Sequence, residues 1–286
     1  MDKISKISFP GLGIGEFEVH SVAFPLGKIE IAWYAIIITI GIIAAVAYTM
    51  YRANAVGITT DDIIDFALFT VPIGIIGARL YYVLTKLEEF DSFGEVLNIR
   101  SGGLAIYGGI LAGALSVFLV SKYKKIPFLV IADCCTPGII LAQAIGRWGN
   151  FMNGEAFGYE TDIFCRMGLN NYLTGYVTKY VHPTFIYESL WNLIGFALIN
   201  VFYKKRQYDG QVFLLVFGWY GLGRMFIEGL RSDSLYGSIF GIEFRVSQVL
   251  AALILAATVA ALVYFGVKRP DKKLYYKTDK KQIKDR

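Results

Sequence analysis

The sequence predicts an all-α, polytopic integral membrane protein: about seven transmembrane helices with a loop or head segment on the outer face. Three observations carry this. Hydrophobic residues make up 55% of the 286-residue chain and charged residues 18%, with a mean hydropathy of +0.50. Soluble domains carry about 25% charge and have too little interior to absorb this much apolar side chain. The excess is gathered into runs of roughly 20 residues, the thickness of a bilayer core. Those runs lack the period-two alternation of outer-membrane strands. Backbone groups in lipid must be satisfied within their own segment, so the runs read as helices.

Residues 1–30 form an N-terminal membrane-surface segment in this reading. Lys3 and Lys6 imitate the start of a signal peptide, but Pro10, several glycines, Glu16, Glu18 and His20 interrupt the stretch after them. No apolar h-region with a small-residue cleavage site results. Residues 31–267 form the seven-helix domain, with spans at Ile31–Met50, Ile63–Leu84, Gly102–Val120, Ile126–Ile145, Phe185–Tyr203, Val212–Gly229 and Val246–Val267. The longest connection, 146–183, is an outer loop whose aromatic density suits a folded or membrane-grazing segment. Residues 268–286 are a basic tail.

Seven spans put the termini on opposite sides. Arg52, Lys122, Lys124, Lys125, Lys204, Lys205 and Arg206 share a side with that tail. The positive-inside tendency therefore makes the C-terminus cytoplasmic and the N-terminus external. The tail reads as an anchor on anionic headgroups of membrane lipids, and no nucleic acid is expected as a partner.

Cys134 and Cys135 are neighbours within one span and Cys165 lies in the outer loop. This is no metal-ligand spacing, so no metal is expected. A Ser/His hydrolase would need a serine presented to His20 or His182, and neither Ser116 nor Ser189 sits in a Gly-x-Ser-x-Gly turn.

Ionisable residues inside spans cost about 2.5–3.5 kcal/mol each at a helix centre, and here they are Asp65, Arg79, Asp133, Glu188, Arg224 and Glu228. Tyr220, Arg224 and Glu228 step by four along one face. They can neutralise themselves as an i,i+4 pair, or border a wet cavity in which Arg224 holds an anionic group, with Arg231 one turn beyond. The densest constellation is Gly146 to Gly158. Its four glycines permit sharp turns and close approach, Arg147 offers a planar fork suited to phosphate, and Asn150, Asn153 and Glu155 add amides and a carboxylate. It is expected to begin where the fourth helix ends. The stretch Ser101 to Gly109 brackets Tyr107 with glycine pairs.

Together these residues resemble the bacterial prolipoprotein diacylglyceryl transferase family. The run Gly146 to Gly158 fits its G-R-x-G-N-F-x-N-x-E pattern. Trp33-Tyr34, the Gly-Gly-x-x-x-Tyr-Gly-Gly stretch, His182-Pro183-Thr184 leading into Tyr187-Glu188, and the Tyr220, Arg224, Glu228, Arg231 series agree with it over residues 25 to 265. The resemblance implies an enzyme of the bacterial plasma (inner) membrane that needs no cofactor. Such enzymes take the diacylglyceryl group of phosphatidylglycerol, attach it by thioether to the lipobox cysteine of a preprolipoprotein signal peptide, and release glycerol 1-phosphate. By position, Arg147 and Arg224 surround the lipid phosphate, with Glu155 and Tyr107 also in the catalytic set. Tyr34, Asn150, Asn153, Gly158, His182, Tyr220, Glu228 and Arg231 are implied on the substrate side.

One position departs from the family pattern. Many members carry at Tyr107 a histidine proposed as the base, and a tyrosine of pKa near 10 is a poor base at pH 7. Either Tyr107 orients the substrate or the base lies elsewhere. The rival reading is a transporter or flippase of an anionic phospholipid, using the same arginines without chemistry.

Overall fold

The computed structural model describes residues 2–27, 29–99, 102–232, 236–239, 242–268 and 274; Ser101 and the basic tail beyond Lys268 lie outside the described residues, Leu274 excepted. Among those described are eight α-helices: α1 (Trp33–Asn54), α2 (Thr60–Thr85), a short α3 (Phe93–Leu97), α4 (Ile106–Tyr123), α5 (Phe128–Asn153), α6 (Thr184–Tyr203), α7 (Gln211–Ile227) and α8 (Val246–Lys268). All but α3 are long and apolar enough to cross a bilayer, which gives the seven expected spans.

The fourth span differs from its sequence reading. Hydropathy ends it at Ile145, but α5 continues through Asn153, so the first eight residues of the expected loop are its last two turns. Gly146 and Gly149 are packing positions there, not turn devices: a Cβ on Gly149 would meet the Tyr34 ring at 2.8 Å, and one on Gly146 would meet Ile38 at 3.2 Å. The turn falls at Gly154, φ +61°. The amides of Gly154 and Glu155 donate to Phe151 and Asn150, closing the helix with the paired bonds of a Schellman end.

The chain divides into two compact units. The first comprises Met1–Ala47 and Cys135–Leu274. Its N-terminal part, expected to be a surface segment, is built of strands: β1 (Ile4–Phe9), β2 (Ile14–His20), β3 (Val22–Leu26) and β4 (Ile29–Ala32). The connection after α5 supplies β5 (Met167–Asn170) and β6 (Lys179–Val181). Four of these form an antiparallel sheet in the order β2-β1-β5-β6, with Ile7 opposite both Phe17 and Leu169. Alternate residues of β1 point inward, and Ile7 and Phe9 join Val19, Met167, Leu169, Val181 and Phe185 in a buried cluster. Phe151, Met152 and Phe157 pack on it, so the sheet braces the end of α5. A hairpin, β7 (Tyr236–Ile239) and β8 (Ile242–Arg245), precedes α8.

In the same unit α6 and α7 are locked by Trp191 and Trp219. Their rings stack at 4.3 Å, and each indole N–H donates to the other's carbonyl, at 3.1 and 3.0 Å. Gly195 and Gly223 leave the room for these indoles.

The second unit is built on Tyr48–Cys134. Here α2 and α4 meet through Gly77 and Gly108, where added side chains would collide with the facing backbone, the small-residue packing expected where lipid supplies no hydrophobic drive. Thr59 and Asp62 form a capping box at the start of α2. The buried charge of Arg79 is satisfied by carbonyls: Nε donates to Val96, Nη1 to Gly102 and Gly103, and Nη2 to Glu95, at 2.6–2.9 Å. Asp65 pairs with Lys124 at 2.6 Å.

Candidate active site

Every candidate site residue from the sequence except Tyr107 falls in the first unit. The centre is Glu188, on the second turn of α6 and 7% exposed. Its Oε2 receives Arg147 Nη2 in a close ion pair and Arg224 Nη1 at 3.6 Å, while Oε1 accepts Arg231 Nη1 at 3.2 Å. Three guanidinium groups, from α5, α7 and the turn after α7, therefore converge on one carboxylate. Arg224 also pairs with Glu228 at 2.9 Å, the i,i+4 contact its spacing predicts. Glu228 is 1% exposed and sits in the single 3-10 turn 228–230 that follows α7. Three guanidinium groups are thus held together where low polarity strengthens attraction to an incoming anion. Tyr220 lies one turn before Arg224 on the same face of α7.

A second chain of contacts leaves Arg147 along α5. Its Nη1 donates to Asn150 Oδ1 at 3.4 Å; Asn150 Nδ2 and Asn153 Nδ2 then both donate to Glu155 Oε1, at 3.2 and 3.0 Å. The α5 register sets the first link, since Arg147 and Asn150 lie three residues apart on one face. The Gly154 turn sets the second by folding Glu155 back over the helix end. That turn is held from outside by Asn171, fully buried, whose Nδ2 donates to the Gly154 carbonyl at 2.8 Å and to Ser5 Oγ at 3.1 Å.

Gly158 belongs to the frame. Its amide donates to the His182 carbonyl at 3.0 Å and it pairs with Arg231 in an isolated β-bridge. An added Cβ would strike His182 Cβ and the Leu230 carbonyl oxygen, both at 2.6 Å. His182 Nδ1 lies 3.4 Å from Tyr187 Oη, and burial pushes the imidazole pKa down. Thr184, fully buried, donates its hydroxyl to the Ala156 carbonyl. Tyr34 lies against Gly149. Tyr107 is in the second unit, on the first turn of α4, its ring 6.5 Å from that of Tyr81.

Three contributors escape the sequence reading. Glu188 registers there as a charge within a span and as the end of a family match, with no role assigned, although an ionisable residue at that depth is itself a signal. Asn171 and Ser5 carry none, being ordinary polar residues far apart in the chain. Arg245 is the third: Nη1 donates to the Glu228 carbonyl at 3.1 Å, while Nε and Nη2 bond the hydroxyls of Tyr236 and Tyr159. This ties β8 to the 228–230 turn.

The family model described as prolipoprotein diacylglyceryl transferase matches residues 21–264. The chain is similar to the phosphatidylglycerol–prolipoprotein diacylglyceryl transferase of Enterococcus faecalis, 43% identical across 93% of this chain and 97% of that one. It is also similar to that of Streptococcus pneumoniae, 42% identical over 90% and 97%, and that of Listeria innocua, 38% identical over 94% and 97%.

Proposed function

The chain belongs to the prolipoprotein diacylglyceryl transferase family, and on that premise we propose that Arg147, Arg224 and Arg231 form the phosphate clamp of its reaction. The protein is a multi-pass membrane enzyme that transfers the diacylglyceryl group of phosphatidylglycerol to prolipoproteins. The acceptor is the thiol of a lipobox cysteine in the signal peptide. Its sulfur bonds to the glycerol carbon, the bond from that carbon to the phosphate oxygen breaks, and glycerol 1-phosphate leaves with the electron pair.

The observation that supports the clamp is the convergence of three guanidinium groups on Glu188. Charge builds on the phosphate oxygen as the carbon–oxygen bond breaks. Donors already held in place stabilise that state more than the ground state. In this account Glu188 is a positioning residue: it holds the arginines together until a phosphate shares them. Gly158, His182 and Glu228 keep Arg231 and Arg224 in register, and Tyr34 and Tyr220 border the clamp.

The thiol starts near pKa 8.5 and must lose its proton. Glu155 is the proposed acceptor. Unlike Glu188 and Glu228, it makes no ion pair among the described residues, and the amides of Asn150 and Asn153 fix one of its oxygens, leaving the other to face substrate. Tyr107 then orients a substrate. We place the sheet and the N-terminus outside and the C-terminal tail in the cytoplasm of the plasma membrane, on the strength of the basic residues at the ends of α1, α4 and α6.

The test uses purified protein in detergent with phosphatidylglycerol and a lipobox peptide. Glycerol phosphate release and a diacylglyceryl mass gain on the peptide cysteine are expected, and a lipid carrier would yield neither. Glu155→Gln should abolish transfer while Tyr107→Phe retains part of it. The reverse result would assign proton acceptance to Tyr107 as its phenolate.

A further inference from the structure

The turn joining α4 to α5 lies wholly in the second unit, and the reaction uses none of its residues. Three of the four positions from 122 to 125 are lysines, and the structure treats them differently. Lys124 is consumed: it sits between Asp62 at 2.8 Å and Asp65 at 2.6 Å. Lys122 and Lys125 make no ion pair among the described residues and both line a cleft of about 270 Å³. The walls of that cleft are apolar. Phe118 and Phe128 meet edge to face at 6.0 Å, Lys122 Nζ lies 4.6 Å over the Phe118 ring, and Ile126 and Pro127 complete the lining.

Two further observations point to a ligand. Ser121 lines the same cleft at 2% exposure, and its Oγ has no hydrogen-bond partner among the described residues. A buried hydroxyl without a partner costs free energy, so its presence in the lining of a cleft that also carries two lysines asks for an acceptor. Lys125 has φ +56°. The amide of Ile126 donates to the Ser121 carbonyl and that of Lys125 to the Lys122 carbonyl, so Lys125 occupies the left-handed position of a Schellman end where glycine is usual. Glycine fills the same position at the end of α5, at Gly154. The α4 end accepts a strained backbone and gains an ammonium beside the cleft. The first turn of α5 adds the positive end of a 26-residue helix.

We infer that this cleft is a binding site for the phosphate of an anionic phospholipid, distinct from the arginine clamp of the reaction. Lys122, Lys125 and the Ser121 hydroxyl take the phosphate oxygens, and the first stretch of an acyl chain or the glycerol backbone lies against Phe118, Ile126 and Phe128. The apolar walls at the ends of two spanning helices select a membrane lipid over a soluble phosphate ester.

The test is lipid retention by the delipidated full-length protein in detergent, read by native mass spectrometry. The probe is phosphatidic acid, with phosphatidylcholine and inorganic phosphate as comparison arms. The wild type should retain one more phosphatidic acid than Lys122→Gln/Lys125→Gly, with at least tenfold tighter apparent affinity, and phosphatidylcholine should not replace it. Lys125→Gly relieves the backbone strain, so it should melt no lower than the wild type, which separates loss of the site from loss of the fold. Ser121→Ala should weaken retention with both lysines intact. Arg147→Lys should leave this lipid in place, so failure here and failure of the clamp are separate outcomes. Equal retention in wild type and double variant overturns the site. Inorganic phosphate displacing the lipid at equal concentration overturns its assignment to a lipid.

Discussion

Glu188→Gln tests the clamp more sharply than loss of any single arginine, because one nearly isosteric change touches all three. In the native site Glu188 pairs with Arg147 and Arg231, and Arg224 also holds Glu228 at 2.9 Å. The glutamine therefore leaves Arg147 short of its close counter-charge beside a carboxylate position only 9% exposed in its side chain. Breaking a buried pair from one side costs about 3–5 kcal/mol, so the variant should melt well below the wild type in detergent. Added phosphatidylglycerol should then narrow the gap, because a lipid phosphate supplies the missing anion; for any ligand a hundredfold excess over Kd is worth about 2.7 kcal/mol, and the variant should reach that excess at lower lipid. In turnover, the phosphate no longer competes with a carboxylate, so KM should not rise. The arginines meanwhile lose their fixed positions, and a misplacement of about 1 Å can lower kcat about a hundredfold. A fall in kcat at equal or lower KM, read from the transfer assay, is the expected signature. A variant that melts with the wild type, or one in which KM rises while kcat holds, would refute the view that Glu188 acts by holding the arginines.

Arg147→Lys keeps the charge but loses the planar fork, and kcat should fall about 10²–10³-fold, as when one preorganised donor is removed; near-normal turnover would contradict the clamp. Gly158→Ala should cost about 1–3 kcal/mol by overpacking, because its Cβ lands 2.6 Å from both His182 and the Leu230 carbonyl. Through the bridge to Arg231 it should also lower kcat, which thermal melts and the transfer assay measure together. The His182 imidazole has its pKa lowered from 6.5 by burial, so the unfolded chain binds its proton more readily than the folded one. That contribution is full above about pH 6.5 and is lost as pH falls toward the folded value. Replacing His182 by asparagine should flatten the loss of stability on the acid side of pH 6.5.

How much of this structure is legible in the sequence depends on how far apart the interacting residues lie. Hydropathy locates all seven spans because a bilayer imposes one length and one composition on each, whatever the neighbours are. The Arg224–Glu228 pair is legible for a similar reason: a helix fixes the i,i+4 contact by itself. The end of α5 is misplaced because glycine counts as a breaker in isolated sequence. Inside a bundle Gly149 is required by the Tyr34 ring lying on it, and that ring belongs to a different helix. The sheet is invisible because its strands are three to seven residues long and β1 pairs with β5 more than 150 residues away. No local period announces such a register. Glu188 combines both cases. Its presence in a span is a local fact and marks it as costly, but the groups that offset the cost come from α5, α7 and the turn after α7. The same separation explains why three arginines can be held close together at all. Each is anchored by its own element, and the single carboxylate between them lets like charges share a site that an incoming phosphate can then occupy.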